Sequence, residues 1–137
     1  MSESARALIN GANGMTHVRG IRGATTAESN TREAIIGATR ELLSELIETN
    51  DISPDDVAAA IFTTTEDLNA EFPAVAARQL GWQQVALLDG HEMRVPGAQA
   101  RCIRVLVLIN TDRSSQELSS AYLREAANLR DRGSKEV

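Results

Sequence analysis

The stretch that most limits the possible folds is Cys102-Ile103-Arg104-Val105-Leu106-Val107-Leu108-Ile109, apolar at every position but one. It reads as a β-strand. A strand this uniformly apolar has no face designed for water, so it must be covered on both sides or lie at an interface. It is far too short to cross a membrane.

Arg104 is the anomaly within it. A guanidinium buried without a partner costs on the order of several kcal/mol, so it needs a carboxylate, from the protein or from a ligand. The plainer reading is an arginine that snorkels to water from a strand end. Arg19-Gly20-Ile21-Arg22-Gly23 repeats the theme on an earlier strand. The two-residue period sends Arg19 and Arg22 to opposite faces, so only one can join Arg104, and the adjacent glycines leave room for a ligand. Two exposed arginines on an edge strand would give the same pattern.

The remaining elements follow from periodicity and caps. His17 to Thr26 reads as a strand interrupted by glycines. Asn30 stands as an N-cap with Glu33 three residues on, followed by Ile35, Ala38, Leu42, Leu46 and Ile47 at helical spacing, which predicts a helix over about 31–49. Ser53-Pro54-Asp55-Asp56 is a capped turn, and 57–64 leans towards strand. Phe72-Pro73 leads into a second helix closed by Gly81. A third strand is expected over 84–88, and Ser114-Ser115 opens an expected last helix carrying Leu118, Tyr122 and Ala126. The order βαβαββα describes one α/β domain (α+β-like) with a mixed sheet packed by helices. Residues 1–14, ending Gly-Ala-Asn-Gly, read as a flexible extension ahead of a domain over 15–137.

Composition removes several function classes. At 137 residues the chain suits one domain, and a net charge of −5 offers no broad basic surface for nucleic acid or an anionic membrane. A small anion needs only a local group of arginines. Two histidines and one cysteine show no metal-ligand spacing, and the lone Cys102 fits a small buried hydrophobe. The N-terminus lacks the pattern of a secretory signal, so cytoplasm is the expectation. No triad, phosphate loop or metal box is present. Glu92 lies just past the third strand, where α/β sites often form, though a solvated turn is its commoner setting. Tyr122 is the only tyrosine, Trp82 is expected to pack, and Arg78 and Arg130 are by themselves ordinary surface charges. Several arginines, a carboxylate and a phenol suit a small dianion better than covalent catalysis.

These residues fall into motifs. Val18-Arg19-Gly20-Ile21-Arg22-Gly23-Ala24-Thr25-Thr26 resembles the opening of the α/β chorismate mutases, as distinct from the all-helical kind. Thr65 to Ala74, Glu92-Met93 with Val95-Pro96-Gly97, Cys102 to Leu106, Asn110-Thr111-Asp112, Tyr122-Leu123 and Leu129-Arg130 are similar to later blocks of that family, in the same order. The resemblance covers about 18–130. It implies a cofactor-independent, cytoplasmic isomerase that turns chorismate into prephenate in aromatic amino acid biosynthesis, the source of phenylalanine and tyrosine, without saying which product this prephenate serves. It also implies a homotrimer with a pseudo-barrel core and active sites between subunits. Arg22, Glu92, Arg104 and Tyr122 would form the core of the site. Phe72, Ala74 and Arg78 would line it from the neighbouring subunit, with Leu88 and Asp89 beside the substrate. Leu129 and Arg130 would belong to a mobile C-terminal segment starting near 127.

Two positions depart from the pattern. Asp89-Gly90 stands where the family often has Cys or Ser and then a small residue or Met, and an ionised Asp89 aimed at a dianion would weaken binding. Val75 replaces a lysine found in some members. Two other readings remain: an imine deaminase of similar trimeric fold, and a non-catalytic module that binds a small diacid.

Overall fold

The computed structural model describes residues 15–129; the expected extension over 1–14 and Arg130 lie outside them. Strand β1 (His17–Thr26) leads to helix α1 (Arg32–Asn50), and strand β2 (Val57–Thr64) follows a single turn at Pro54–Asp56. Helix α2 (Ala74–Gln79) connects to β3 (Ala86–His91), then β4 (Cys102–Thr111) and a two-residue β5 (Ala121–Tyr122). The strands lie in the order β3-β2-β4-β1-β5. Central β4 runs antiparallel to β1 and β2, while β2–β3 and β1–β5 pair in parallel. This is the expected mixed sheet, with α2 making the crossover that a parallel pair requires. No helix among the described residues is long and apolar enough to cross a membrane.

Both helices cover one face. Ile21, Val105, Val107, Ile109, Ala60 and Phe62 from the sheet meet Leu42, Leu43 and Leu46 of α1, Ala74 and Ala77 of α2, and Trp82. Full burial of each such aliphatic side chain contributes roughly 1.5–3 kcal/mol. Gly23 sits where α1 approaches the sheet: a Cβ there would lie 2.9 Å from Leu46 Cδ1 and 3.1 Å from both Leu42 Cδ1 and Val105 Cγ1. That glycine makes room for the helix, not for a ligand as its position beside Arg22 suggested.

The chain departs from the sequence reading in three further places. Thr31, not Asn30, caps α1, and its hydroxyl accepts from Ala34 N at 3.2 Å. Asn30 instead accepts from the amides of Asn69 and Ala70, at 2.9 and 3.0 Å. The third strand begins and ends later than expected, because its register is set by pairing Ala86–His91 with Ala59–Thr64. The expected last helix is not a helix over 114–126. Ser114 and Glu117 do form a capping box, but it starts a single 3-10 turn, after which the chain extends and pairs with β1. A second short turn at Arg124–Ala126 and a helical turn reaching Leu129 follow.

Candidate active site

Burial along β4 alternates. Ile103, Val105, Val107 and Ile109 face the helices, whereas Arg104, Leu106, Leu108 and Asn110 face the other side, which no helix among the described residues covers. The apolar run is therefore one buried face plus one open apolar face, the interface alternative for this strand. On the open face the register aligns two rows across the sheet. Tyr122 pairs with Ala24, Ala24 with Arg104, Arg104 with Thr63 and Thr63 with Gly90. One step along, Arg22 pairs with Leu106, Leu106 with Ile61 and Ile61 with Leu88.

Directly paired residues and those two apart share a face, so Arg22, Arg104 and Tyr122 converge on one side of the sheet. Arg19 pairs with buried Ile109 and gives its Nε to the carbonyl of Arg113, leaving only Arg22 to join Arg104. Glu92 completes the group. Its amide donates to Thr64 O at 2.8 Å, fixing the chain as it leaves β3. Its Oε2 accepts from Thr63 Oγ1 at 2.8 Å and from Arg104 Nη1 at 3.4 Å.

Arg104 is thus half-exposed rather than buried, and its first carboxylate comes from the protein, one of the two sources its place in an apolar strand left open. The side chains of Arg104 and Glu92 are 50% and 31% exposed. One oxygen at 3.4 Å is longer than a charge-assisted hydrogen bond of about 2.8 Å. The contact leaves most of the fork's donors available on the open face, next to Arg22 and Tyr122.

The second expected group lies elsewhere in the chain. Phe72, 64% exposed, borders a cleft of ≈ 330 Å³ with Leu68, Asn69, Glu71, Asp89 and His91. Asn30 and an Arg32–Glu71 pair at 3.1 Å tie this segment to the start of α1. Ala74 is fully buried and Arg78 lies one turn further along α2. Leu88 is 63% exposed on the open face, and Leu129 is half-buried in the last described turn. Arg104 is not among the residues that line the cleft beside Phe72, though Gly90 on its wall ends the row Arg104–Thr63–Gly90.

Asp89 proves different from what its charge suggested. It lies on the helix-facing side of β3, and its Oδ1 accepts from Ala74 N at 3.0 Å. Burial pushes its carboxyl above the ordinary 3.8, against the opposing pull of the Ala74 amide and the Arg78 guanidinium. It serves the start of α2 and does not point at the row containing Arg104. Cys102 is buried and its thiol is pushed up by desolvation, in keeping with a packing role. Thr63 and Asn30 were missed from sequence. The Thr63-Thr64-Thr65 run at a strand end was a visible clue to hydroxyls near Glu92, whereas nothing local marks Asn30 as a tether for residues 39 and 40 positions away.

Comparison with known proteins agrees with this geometry. The family model for chorismate mutase type I matches residues 18–132. The chorismate mutase AroH of Thermus thermophilus is 55% identical over 114 residues, covering 82% of this chain and 93% of that protein. The AroH of Bacillus subtilis is 43% identical over 114 residues, covering 82% and 90%. A solved chorismate mutase from Clostridium thermocellum superposes with a TM-score of 0.78 at 44% identity, covering 80% of this chain and 97% of that one. A charged and phenolic row on an open sheet face and a match over nearly the whole domain lead to one assignment: the chain belongs to the type I chorismate mutases.

Proposed function

We propose that the chain is an isomerase that rearranges chorismate to prephenate in aromatic amino acid biosynthesis, acting in the cytoplasm as a homotrimer with no cofactor. The observation that carries this reading is the row Tyr122–Ala24–Arg104–Thr63, with Glu92 held against Arg104 and Arg22 one step away.

The reaction breaks one C–O bond as it forms one C–C bond within a single molecule. It needs no nucleophile and no proton transfer, only a bound conformer and stabilised charge. Arg104 donates to the ether oxygen as negative charge grows there. Glu92 accepts from the ring hydroxyl and opposes positive charge on the ring. Arg22 and Tyr122 grip the side-chain carboxylate. Phe72, Ala74 and Arg78 come from a neighbouring copy. Arg78 and Arg130 neutralise the ring carboxylate near solvent, with Leu88, Asp89 and Leu129 at the margins of the site. Substrate binding draws Arg104 from its long contact with Glu92 towards the ether oxygen.

The open sheet face supports self-association. Val18, Leu88 and Leu106 are exposed on it, beside half-buried Ile61 and Leu108. An apolar surface of this kind is usually covered by another chain.

The test is loss of chorismate absorbance with appearance of prephenate. Turnover supports the reading. Binding of chorismate without turnover would favour a non-catalytic diacid module, and turnover of an imine substrate instead would favour a deaminase.

A further inference from the structure

The geometry points to Arg124 as a positioning residue: it clamps the turn after Tyr122 to α1 and so keeps that phenol in the row with Arg104. The inference rests on the chorismate mutase reading and adds to it a residue outside the catalytic and binding groups named above.

Tyr122 stands on a precarious element. β5 has two residues, at the edge of the sheet, with only Gly23 and Ala24 as pairing partners. A strand so short does not hold its own register. Its N-terminal side is fixed by buried Asn50, whose Oδ1 accepts from Ser119 N at 2.7 Å and whose Nδ2 donates to Ser119 O at 2.9 Å. On its C-terminal side Leu123 N reaches Ala24 O at 2.9 Å, and the chain then turns sharply at Arg124.

Arg124 has φ 52, in the left-handed region. That conformation is disfavoured for a residue with a Cβ, and glycine would adopt it without penalty. Such backbone persists where surrounding contacts over-determine it, and it concentrates at functional sites. The contacts here come from the side chain. Nε and Nη2 reach Oε1 and Oε2 of Glu41, each at 3.3 Å, and Nη1 lies 3.7 Å from Glu28 Oε1. Glu41 belongs to α1 and Glu28 to the loop that leaves β1, so one planar fork joins three segments where the chain changes direction. Ala126, fully buried one turn later, takes up the new path.

An exposed ion pair contributes little to global stability. What this one fixes is direction, so its loss loosens Tyr122 without unfolding the sheet. Because Tyr122 holds a substrate carboxylate in both ground and transition states, the effect falls on KM.

The experiment compares the full-length wild type with Arg124→Gly, which permits the turn but removes the fork, Arg124→Lys, which keeps one contact, and Glu41→Gln. Steady-state kinetics with chorismate are run beside hydrogen exchange of the Tyr122–Leu129 amides. Arg124→Gly is expected to raise KM about fivefold with kcat within about twofold, and to speed exchange in that segment by a similar factor while β4 is unchanged. Glu41→Gln should follow it, and Arg124→Lys should recover most of the KM. An unchanged KM with unchanged exchange in Arg124→Gly overturns the assignment. So does a fall in kcat at constant KM, the signature of a smaller folded fraction. If wild type fails to turn over chorismate, the proposed activity fails and the functional role of Arg124 fails with it; accelerated exchange would then leave only the clamp itself.

Discussion

Arg104 Nη1 lies 3.4 Å from Glu92 Oε2, and the same carboxylate oxygen accepts Thr63 Oγ1 at 2.8 Å. The shorter bond holds the carboxylate, while the longer one leaves the guanidinium free to exchange partners. Arg104→Ala should therefore remove transition-state stabilisation rather than binding, lowering kcat by about 100-fold or more, the effect of losing one oxyanion donor of about 3 kcal/mol. Arg104→Lys should recover little, since an ammonium cannot reproduce the planar fork. Arg130→Ala should instead mainly raise KM. Steady-state kinetics in which Arg104→Ala raises only KM would refute the role assigned to Arg104.

Thr63 offers a finer test of the same group. Thr63→Val keeps the shape of the side chain and deletes the hydroxyl that anchors Glu92. A hydrogen bond to a charged group contributes roughly 1.5–3 kcal/mol. The half-exposed site reduces that, so kcat/KM should fall by about five- to tenfold. The urea midpoint should move little, because Thr63 faces the open side of the sheet and not the core. Unaltered kinetics would mean that Thr63 does not orient Glu92.

How much of this was legible depended on whether local sequence or distant pairing decides a feature. The α1 helix follows from apolar spacing alone, because its buried stripe, Ile35 to Leu46, is set by the helical period. Arg104 could be singled out because a charge in an apolar strand is an inconsistency that local rules cannot absorb. Tyr122 could not be placed. The signal for a cap at Ser114–Glu117 is real, but a two-residue pairing with Gly23 and Ala24, nearly a hundred positions away, overrides the helical pattern after it. The Arg104–Glu92 contact was equally out of reach, since nothing in either segment says how β3 ends relative to β4. That Phe72 and Arg78 would reach Arg104 from a neighbouring copy is a proposal the sequence conveyed only through resemblance.

Asp89 gives a pH-dependent prediction. Its folded carboxyl titrates above the ordinary 3.8, so between these values the folded state holds the proton more tightly than the unfolded one. Stability from this group is therefore present at low pH and lost as pH rises through the folded value. Asp89→Asn removes the charge and keeps an oxygen to accept from Ala74 N. It should raise Tm at pH 7, with the difference from wild type shrinking as pH falls towards the unfolded value of 3.8. Thermal melts in which Asp89→Asn is destabilised equally at every pH would show that the charge itself is needed at the start of α2.

The two glycines of β1 should respond differently to the same substitution. Gly23 faces α1, where an added Cβ meets Leu46, Leu42 and Val105 at 2.9, 3.1 and 3.1 Å. At Gly20 on the open face the nearest atom is Leu106 Cδ1 at 3.3 Å. Gly23→Ala should cost about 1–3 kcal/mol by overpacking, read as a lower urea midpoint, and Gly20→Ala much less. Equal losses would contradict the close approach of α1 to β1.

The open face supplies the last prediction. Leu88 is 63% exposed and packs against no helix among the described residues, so a charge there has little reason to disturb a single folded chain. If the face is covered by another copy, the same charge must be desolvated without a partner, at a cost of several kcal/mol on the order expected for a buried ion. Leu88→Lys should therefore leave the far-UV circular dichroism unchanged and shift sedimentation from trimer towards monomer. Activity should fall together with assembly if, as proposed, Phe72 and Arg78 reach Arg104 from a neighbouring copy. Raising the protein concentration should restore both in parallel. A wild type that sediments as a monomer and turns over chorismate at full rate would place the whole site within one chain and overturn the proposed contribution of Phe72 and Arg78 from a neighbouring copy.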